Sequence, residues 1–312
     1  MTYHLLYLGP DDLVDHVRSI LPATYEIQQA TDASTAYRYL PNSDVVLDAY
    51  MKIHFRKDQL DRAGRLKLFV TATTGADHVD AAVLEKRKIP LLTLRGQKEI
   101  LKNITPAAEH SWLLLMACAR QLLPATQHVL QGKWDRNEFP GMMLRGKTIG
   151  IIGCGRIGEW ISRYAAAFGM KCLGFDPYAD PFPSEIEKTD LSILLQQSDF
   201  ISIHVTLTDE TRGLLGPKEF QKIKKGAVLV NSSRGEVVDE TSLLRALENS
   251  DLQASGLDVL TGEPEIDRHP LVRYARTHSN LILTPHIGGY SPDALKTVLT
   301  FSCKRINDFF GT

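Results

Sequence analysis

The chain has 312 residues, 43% apolar and 23% charged, with a formal net charge of −1. That length exceeds what one hydrophobic core usually supports, so two domains are expected. The near-zero charge gives no electrostatic case for nucleic acid or an anionic membrane surface as partner.

The N-terminus, "MTYHLLYLGPDD", lacks a basic segment and does not read as a signal peptide. In the first third, "HLLYL", "YEIQQ", "DVVLDA", "KLFVTA" and "PLLTL" read as strands. Amphipathic stretches such as "DDLVDHVRSIL" and "DASTAYRYL" lie between them. That alternation predicts βαβ units and a parallel sheet. Residues 105 to 130, "TPAAEHSWLLLMACARQLLPATQHVL", predict a long helix, buried between domains or at a subunit contact. Pro124 is expected to kink or end it. Its apolar centre, "SWLLLMACA", is too short to span a bilayer, so no membrane is expected as partner. "QGKWDRNEFPGMMLRGK" reads as an irregular connection. A second strand series begins at residue 148: "TIGII", "KCLGF", "FISIHV", "AVLVN", "LQASGLDV" and "LILT". These are nearly continuous apolar runs, as expected when helices cover both faces of a sheet. Within this series, Lys222-Ile223-Lys224-Lys225 reads as a solvated helix end. The last segment, "SPDALKTVLTFSCKRINDFF", predicts one helix that packs back on the first domain. The four cysteines (Cys118, Cys154, Cys172, Cys303) show no metal-site spacing. Free thiols in a reducing cytoplasm, and no metal, are the expectation.

"TIGIIGCGRIGEW" is a strand, then Gly153-x-Gly155-x-x-Gly158, then a helical pattern. The first glycine allows a tight turn, the second lets backbone approach a pyrophosphate, and the third lets the helix pack close to the sheet. Arg156 and Ile157, between the last two glycines, fall in the same cofactor-binding set. Helix N-terminal N–H groups then face the phosphate. About twenty residues on, "KCLGFDP" ends in Asp176, as the dinucleotide fingerprint requires. A carboxylate there accepts hydrogen bonds from the ribose hydroxyls and repels a 2′-phosphate. NAD(H) rather than NADP(H) is therefore the expected cofactor.

In open α/β sheets, ligands bind outside the carboxyl ends of the strands. Three late strands are followed there by reactive residues: "AVLVN" by Arg234, "LQASGLDV" by Glu263, and "LILT" by His286. Each has a plain alternative. Arg234 could cap a helix or pair with Glu236 or Asp239, Glu263 could be a solvated loop residue, and His286 could cap a turn. Together, beside a dinucleotide loop, they fit redox chemistry on a 2-oxo acid. Arginine offers a planar fork of donors for a carboxylate. Histidine gives and takes a proton near neutral pH. A neighbouring carboxylate favours imidazolium and fixes the ring.

"GKTIGIIGCGRIG", "HVTLTDETRGLL", "AVLVNSSRGEVVDETSLLRAL", "GLDVLTGEP" and "TPHIGG" together resemble the signatures of the D-isomer-specific 2-hydroxyacid dehydrogenases, nearly end to end. That family includes glyoxylate/hydroxypyruvate reductases, D-lactate dehydrogenases and phosphoglycerate dehydrogenases. The resemblance implies an α/β architecture of two doubly wound parallel-sheet domains. One is a Rossmann dinucleotide-binding domain, expected at 104–284. The other is a flavodoxin-like substrate domain, expected at 1–103 and joined by a C-terminal helix segment, 285–312. It implies Arg234 as the substrate-orienting arginine, Glu263 as the dyad carboxylate and His286 as the acid/base. Asp258 matches the aspartate near the nicotinamide carboxamide. Thr206, Thr211, Ser232, Ser233 and Gly288 fall in segments lining the cofactor cleft. The loop "TATTGADHVD" follows a strand and opens a helix, so its N–H groups can receive an anion. By resemblance, Thr74, Gly75 and Ala76 hold the substrate carboxylate. A homodimer built through the cofactor domains is also implied.

The chain departs from the family at Thr206, where proline is usual. It also departs at Asp48 and Thr71, near places where phosphoglycerate dehydrogenases carry arginines, and the regulatory extension many of those enzymes have is not expected. "TTGADHVD" and "NITPAAEH" echo NAD-dependent formate dehydrogenases, but those pair the histidine with glutamine, and this chain has Glu263. The expectation is an NADH-dependent reductase of small unphosphorylated 2-oxo acids. A phosphoglycerate-type enzyme, or a non-catalytic dinucleotide-sensing module that keeps the fold, stands as the alternative.

Overall fold

Apolar runs with side chains buried alternately on two faces build two parallel sheets. The computed structural model describes residues 2–312. The chain divides into two units: one runs up to Ile104 and adds Ser291–Thr312, and the other is Thr105–Tyr290.

The first unit holds β1 (Tyr3–Leu8), β2 (Tyr25–Ala30), β3 (Val45–Asp48), β4 (Leu68–Thr71) and β5 (Leu91–Leu92). Their order is β2-β1-β3-β4-β5, all parallel, the doubly wound arrangement of flavodoxin-like sheets. Successive residues serve opposite cores, as period-two geometry requires. Leu5, Tyr7, Val45, Leu47, Leu68 and Val70 face the C-terminal helix Pro292–Phe310, through Leu295, Val298, Leu299, Cys303 and Ile306. Leu6, Leu8, Val46 and Phe69 face the other layer, with Phe55 and Leu60.

The second unit holds β6 (Thr148–Ile152), β7 (Lys171–Phe175), β8 (Glu187–Lys188), β9 (Phe200–Ile203), β10 (Ala227–Asn231), β11 (Leu252–Leu257) and β12 (Leu281–Leu283). Their order is β12-β11-β10-β9-β6-β7-β8, again all parallel. The order reverses between β6 and β9, and the crevice at that switch point is where such sheets bind ligands. Ile149, Ile151, Val228 and Val230 face a layer formed by the helices Pro106–Ala119 and Arg156–Ala167. Ile152, Ile203 and Leu229 face the opposite layer.

Three expectations change. The long helix is broken at Arg120, not at Pro124. Gln121 takes φ +49, and a second helix, Leu122–Leu130, follows. Pro124 sits in that helix's first turn, where a missing N–H leaves no intrahelical bond unmade. The short edge strand β8 was not anticipated; its two residues are exposed and carry no apolar pattern. The crossing back to the first unit falls at Ser291 rather than 285, because residues 286–288 are tied by hydrogen bonds to Asp258 at the end of β11.

Candidate active site

The glycine loop forms as its spacing demands. Gly153 takes φ +92, and a Cβ there would come within 2.7 Å of the His204 carbonyl carbon; one at Gly158 would meet Gly153 O at 2.3 Å. Gly155 is the N-cap of the helix Arg156–Ala167, and a Cβ on it would meet nothing within 4 Å. Internal packing therefore requires the first and third glycines, whereas the second faces open space before a helix N-terminus. That space and those N–H donors fit a dinucleotide pyrophosphate. Asp176 is fixed beside the loop: Oδ2 accepts from Cys154 N at 2.9 Å, and Oδ1 accepts from Tyr178 N at 2.9 Å and Ala179 N at 3.1 Å. The carboxylate is thus placed at the β7 end, where ribose hydroxyls are read. Arg156 and Ile157 are half-buried in the first helical turn, and burial pushes the Arg156 guanidinium below its ordinary range.

The far wall of the loop is formed by β9 and residues 204–211. Burial drives the His204 imidazole down to about 3, so it stands neutral; its Nε2 lies 2.7 Å from Ser202 Oγ. Thr206 is exposed, and its carbonyl accepts from Thr211 Oγ1 at 2.6 Å, while that same oxygen accepts from Thr208 N at 2.8 Å. The Thr211 hydroxyl therefore shapes the 206–211 loop.

Arg234, Glu263 and His286 lie beyond β10, β11 and β12, three adjacent strands. The Arg234 turn is shaped by Asn231: its Nδ2 donates to Arg234 O at 2.8 Å, and its Oδ1 accepts from Ser233 N at 3.0 Å and Ser233 Oγ at 2.8 Å. Arg234 Nη1 donates to Ser233 O at 2.7 Å. The next residue, Gly235, was missed by sequence reasoning. A Cβ on it would lie 2.2 Å from Thr261 N, so the loop leading to Glu263 rests directly on the Arg234 turn.

His286 Nδ1 and Glu263 Oε1 are hydrogen-bonded, and Glu263 Oε2 accepts from Leu260 N at 3.3 Å. The two side chains stay 36% and 31% exposed, accessible enough to meet a substrate. His286 has φ +54, an uncommon conformation for a non-glycine residue that persists where surroundings over-determine it. His286 N donates to Asp258 O at 2.9 Å; Ile287 N donates to Asp258 Oδ1 at 2.9 Å, and Gly288 N to Oδ2 at 2.7 Å. Asp258 is 1% exposed. Its carboxylate therefore clamps the turn that carries His286, a task its spacing alone did not disclose. Among the described residues, no group of three or more His, Cys, Asp or Glu side chains is arranged to hold a metal.

In the first unit, the Thr74–Ala76 segment lies beyond β4, and Thr73 Oγ1 donates to Gly75 O at 2.8 Å. The helix expected to open there starts only at Ala81, capped by Asp80, whose side chain accepts from Val83 N. The 75–76 amides thus belong to a turn, Val79 N donating to Ala76 O at 3.0 Å, and not to a helix N-terminus.

A glycine loop with a carboxylate fixed at the end of β7, and an arginine and a carboxylate–imidazole pair beyond three adjacent strands of the same parallel sheet, make up the arrangement expected of a dinucleotide-dependent oxidoreductase. Residues 112–288 match the family model "D-isomer specific 2-hydroxyacid dehydrogenase, NAD binding domain". The chain is 35% identical over 309 residues to a D-3-phosphoglycerate dehydrogenase of Methanocaldococcus jannaschii, covering 96% of this chain and 56% of that protein. It therefore spans little more than half of that relative. It is 34% identical over 241 residues to a hydroxypyruvate reductase of Thermotoga maritima, covering 77% of this chain and 76% of that one. The D-lactate dehydrogenase of Aquifex aeolicus, solved with NAD and lactic acid, superposes with a TM-score of 0.85 at 27% identity, over 99% of this chain and 95% of that one. The chain belongs to the D-isomer-specific 2-hydroxyacid dehydrogenase family, and its second unit carries that family's NAD-binding domain.

Proposed function

We propose that the protein interconverts small 2-oxo acids and D-2-hydroxy acids using NADH and NAD. The observation that carries this reading is the Glu263–His286 pair, half-exposed on the strand rim that also presents Arg234 and the glycine loop. The guanidinium of Arg234 anchors the substrate carboxylate and polarises the adjacent carbonyl. Glu263 holds Nδ1 of His286, which leaves Nε2 to hand a proton to the carbonyl oxygen and to take it back in the reverse direction. When bound, NADH would supply the hydride for the substrate's C2. Gly153, Gly155, Arg156, Ile157 and Gly158 receive the pyrophosphate, Asp176 reads the ribose, and the 206–211 loop, Ser232, Ser233, Asp258 and Gly288 line the nicotinamide side. Within the first unit, the backbone of Thr74, Gly75 and Ala76 is assigned to substrate binding, which makes that unit the substrate domain.

A homodimer formed through the NAD-binding units belongs to this reading. It is supported by apolar side chains left open on that unit, among them Leu113 at 56%, Leu130 at 81%, Trp134 at 89% and Met143 at 72% exposed. Four buried, unpaired cysteines fit a reducing cytoplasm.

The test is NADH oxidation, followed by absorbance, against glyoxylate, hydroxypyruvate, pyruvate, longer 2-oxo acids and phosphohydroxypyruvate. Turnover of at least one acid, abolished in Arg234→Ala and only partly restored in Arg234→Lys, is expected. NADH binding without turnover of any acid overturns the reading in favour of a sensor. A phosphoglycerate-type activity is the second reading, favoured by the 35% identity to that relative.

A further inference from the structure

The helix Pro106–Ala119 touches both catalytic turns through two consecutive residues. His110 Nε2 lies 2.9 Å from Thr284 Oγ1 and 3.2 Å from Asp258 Oδ1. Thr284 Oγ1 donates its own proton to Asp258 Oδ1 at 2.6 Å, so Nε2 of His110 must be the protonated nitrogen, donating to this pair. The next residue, Ser111, donates to Ala107 O at 2.6 Å, so the 2.6 Å contact between its Oγ and Ser232 Oγ is a bond that Ser232 donates. Ser232 stands two residues before Arg234, and Thr284 two before His286. Ser111 is fully buried and His110 is 11% exposed, so neither bond competes freely with water.

The two turns are also joined to each other. Asp258 N donates to Asn231 O at 2.9 Å, which links the residue clamping the His286 turn to the residue shaping the Arg234 turn. His110 is a side chain from outside the β11 and β12 rim that adds a donor to the Asp258 and Thr284 cluster. That cluster over-determines the left-handed backbone of His286.

We infer that His110 and Ser111 are positioning residues: His110 sets the turn that presents His286, and Ser111 the turn that presents Arg234. The inference rests on reading His286 as the proton donor and Arg234 as the carboxylate anchor. Neither brace touches substrate. Each acts by holding a reacting group to within a fraction of an ångström, and misplacement of about 1 Å costs roughly a hundredfold in rate.

The test uses the full-length protein with NADH and its best 2-oxo acid. His110→Leu is expected to lower kcat about 10- to 100-fold with little change in NADH affinity. The primary isotope effect with deuterated NADH should grow, because the chemical step becomes limiting. His110→Gln, which keeps an N–H donor at similar reach, should recover most of kcat; His110→Asn, too short, should not. Ser111→Ala should raise the KM for the 2-oxo acid more than it lowers kcat. His286→Ala, run beside them, separates the two readings. If it retains turnover, the proton-donor assignment falls. If it is inactive while His110→Leu keeps full kcat and an unchanged isotope effect, only the positioning role falls. Should His110→Leu fail to fold, equal kcat in the glutamine and asparagine variants overturns the inference.

Discussion

Asp48 with His78 in the first unit, and Glu263 with His286 in the second, are both carboxylate–imidazole pairs at the carboxyl-end rims of parallel sheets. Asp48 Oδ2 and His78 Nε2 lie 2.6 Å apart with side chains only 1% and 3% exposed. Asp48 Oδ1 also accepts from Tyr50 N at 2.8 Å and Met51 N at 3.2 Å, so the pair fastens the loop after β3 to the loop after β4. The second pair keeps about a third of each side chain open. The chemistry is the same and the access differs. A sealed pair locks two loops out of reach of a ligand, whereas an open pair is accessible to one. At the opposite rims the two units agree. Asp44 precedes β3 and accepts from His4 N at the start of β1; Asp199 precedes β9 and accepts from Thr148 N at the start of β6. Each adds cations: Arg65 and Lys67 for Asp44, Lys224 and Lys147 for Asp199. The amino rims are built alike, and the carboxyl rims differ in that only one of these two pairs is open to solvent.

The largest effects should separate the two pairs. His286→Ala is expected to lower the rate of 2-oxo acid reduction by about 10²- to 10⁴-fold, the usual worth of a general acid. Its melting temperature should barely move. His78→Leu should do the reverse, because it leaves a buried carboxylate without its partner. A loss of about 3–5 kcal/mol in unfolding free energy, read by urea titration, is expected, with the kcat of the remaining folded enzyme close to normal. Equal losses of kcat in both variants would erase the distinction between sealed and open pairs.

The two pairs also differ in how far they could be read from sequence. Both sheets were legible because fully apolar runs bounded by turns have few other solutions, and the glycine loop because its geometry is local. Arg234, Glu263 and His286 were legible as residues beyond strand ends, since a parallel sheet gathers its carboxyl ends on one rim. The Asp48–His78 pair was not, since nothing local connects residues thirty apart on different loops. Nor were the His110 and Ser111 contacts, which depend on how a helix is rotated over the sheet. Lys224, read as part of a solvated helix end, pairs with Asp199 at 2.8 Å. Pro124 misled for a different reason: proline forbids a helix interior but suits a first turn, and sequence did not say which it occupied.

Asp176 gives the next effect in size. Losing its charge-assisted bonds in Asp176→Ser should weaken NADH binding by roughly 1.5–3 kcal/mol and narrow the preference over NADPH. Comparable efficiency with both cofactors in the unaltered protein would sink the ribose-reading role. A smaller effect should expose the likeness of the amino rims. Burial alone would raise the carboxyls of Asp44 and Asp199, but the backbone N–H bonds and the paired cations outweigh it and hold both below the ordinary carboxylate range. A depressed folded-state value contributes stability above the ordinary carboxylate pH, and that stability is lost as acid brings the pH down through the folded value. Melting temperature should therefore fall on acidification below that range, and less steeply in Asp44→Asn and Asp199→Asn. An unchanged slope in both variants would mean other carboxylates govern acid unfolding.

The smallest expected effect tests what the sealed pair does to substrate choice. In phosphoglycerate-type relatives, arginines after the third strand and before the glycine turn are expected to hold the phosphate. Here those places are Asp48, locked onto His78, and Thr71, which is fully buried with Oγ1 3.4 Å from Thr73 O. The nearby cations are already engaged. Lys57 pairs with Asp61 at 2.5 Å, Arg56 Nη1 donates to Asp77 O at 3.3 Å, and Lys52 Nζ sits 4.5 Å above the Tyr50 ring. A dianionic phosphate would thus find neither of the two guanidinium groups at these places. Lys52 alone cannot replace them, since a single ammonium is a point charge without a bidentate fork. Small unphosphorylated acids such as glyoxylate or hydroxypyruvate should therefore exceed phosphohydroxypyruvate by at least about tenfold in kcat/KM, a difference of roughly 1.4 kcal/mol. Side-by-side kinetics at one pH and salt concentration decide it. A preference for the phosphorylated acid would show that some other part of the chain supplies the missing cations, and would move the protein to the phosphoglycerate branch of its family.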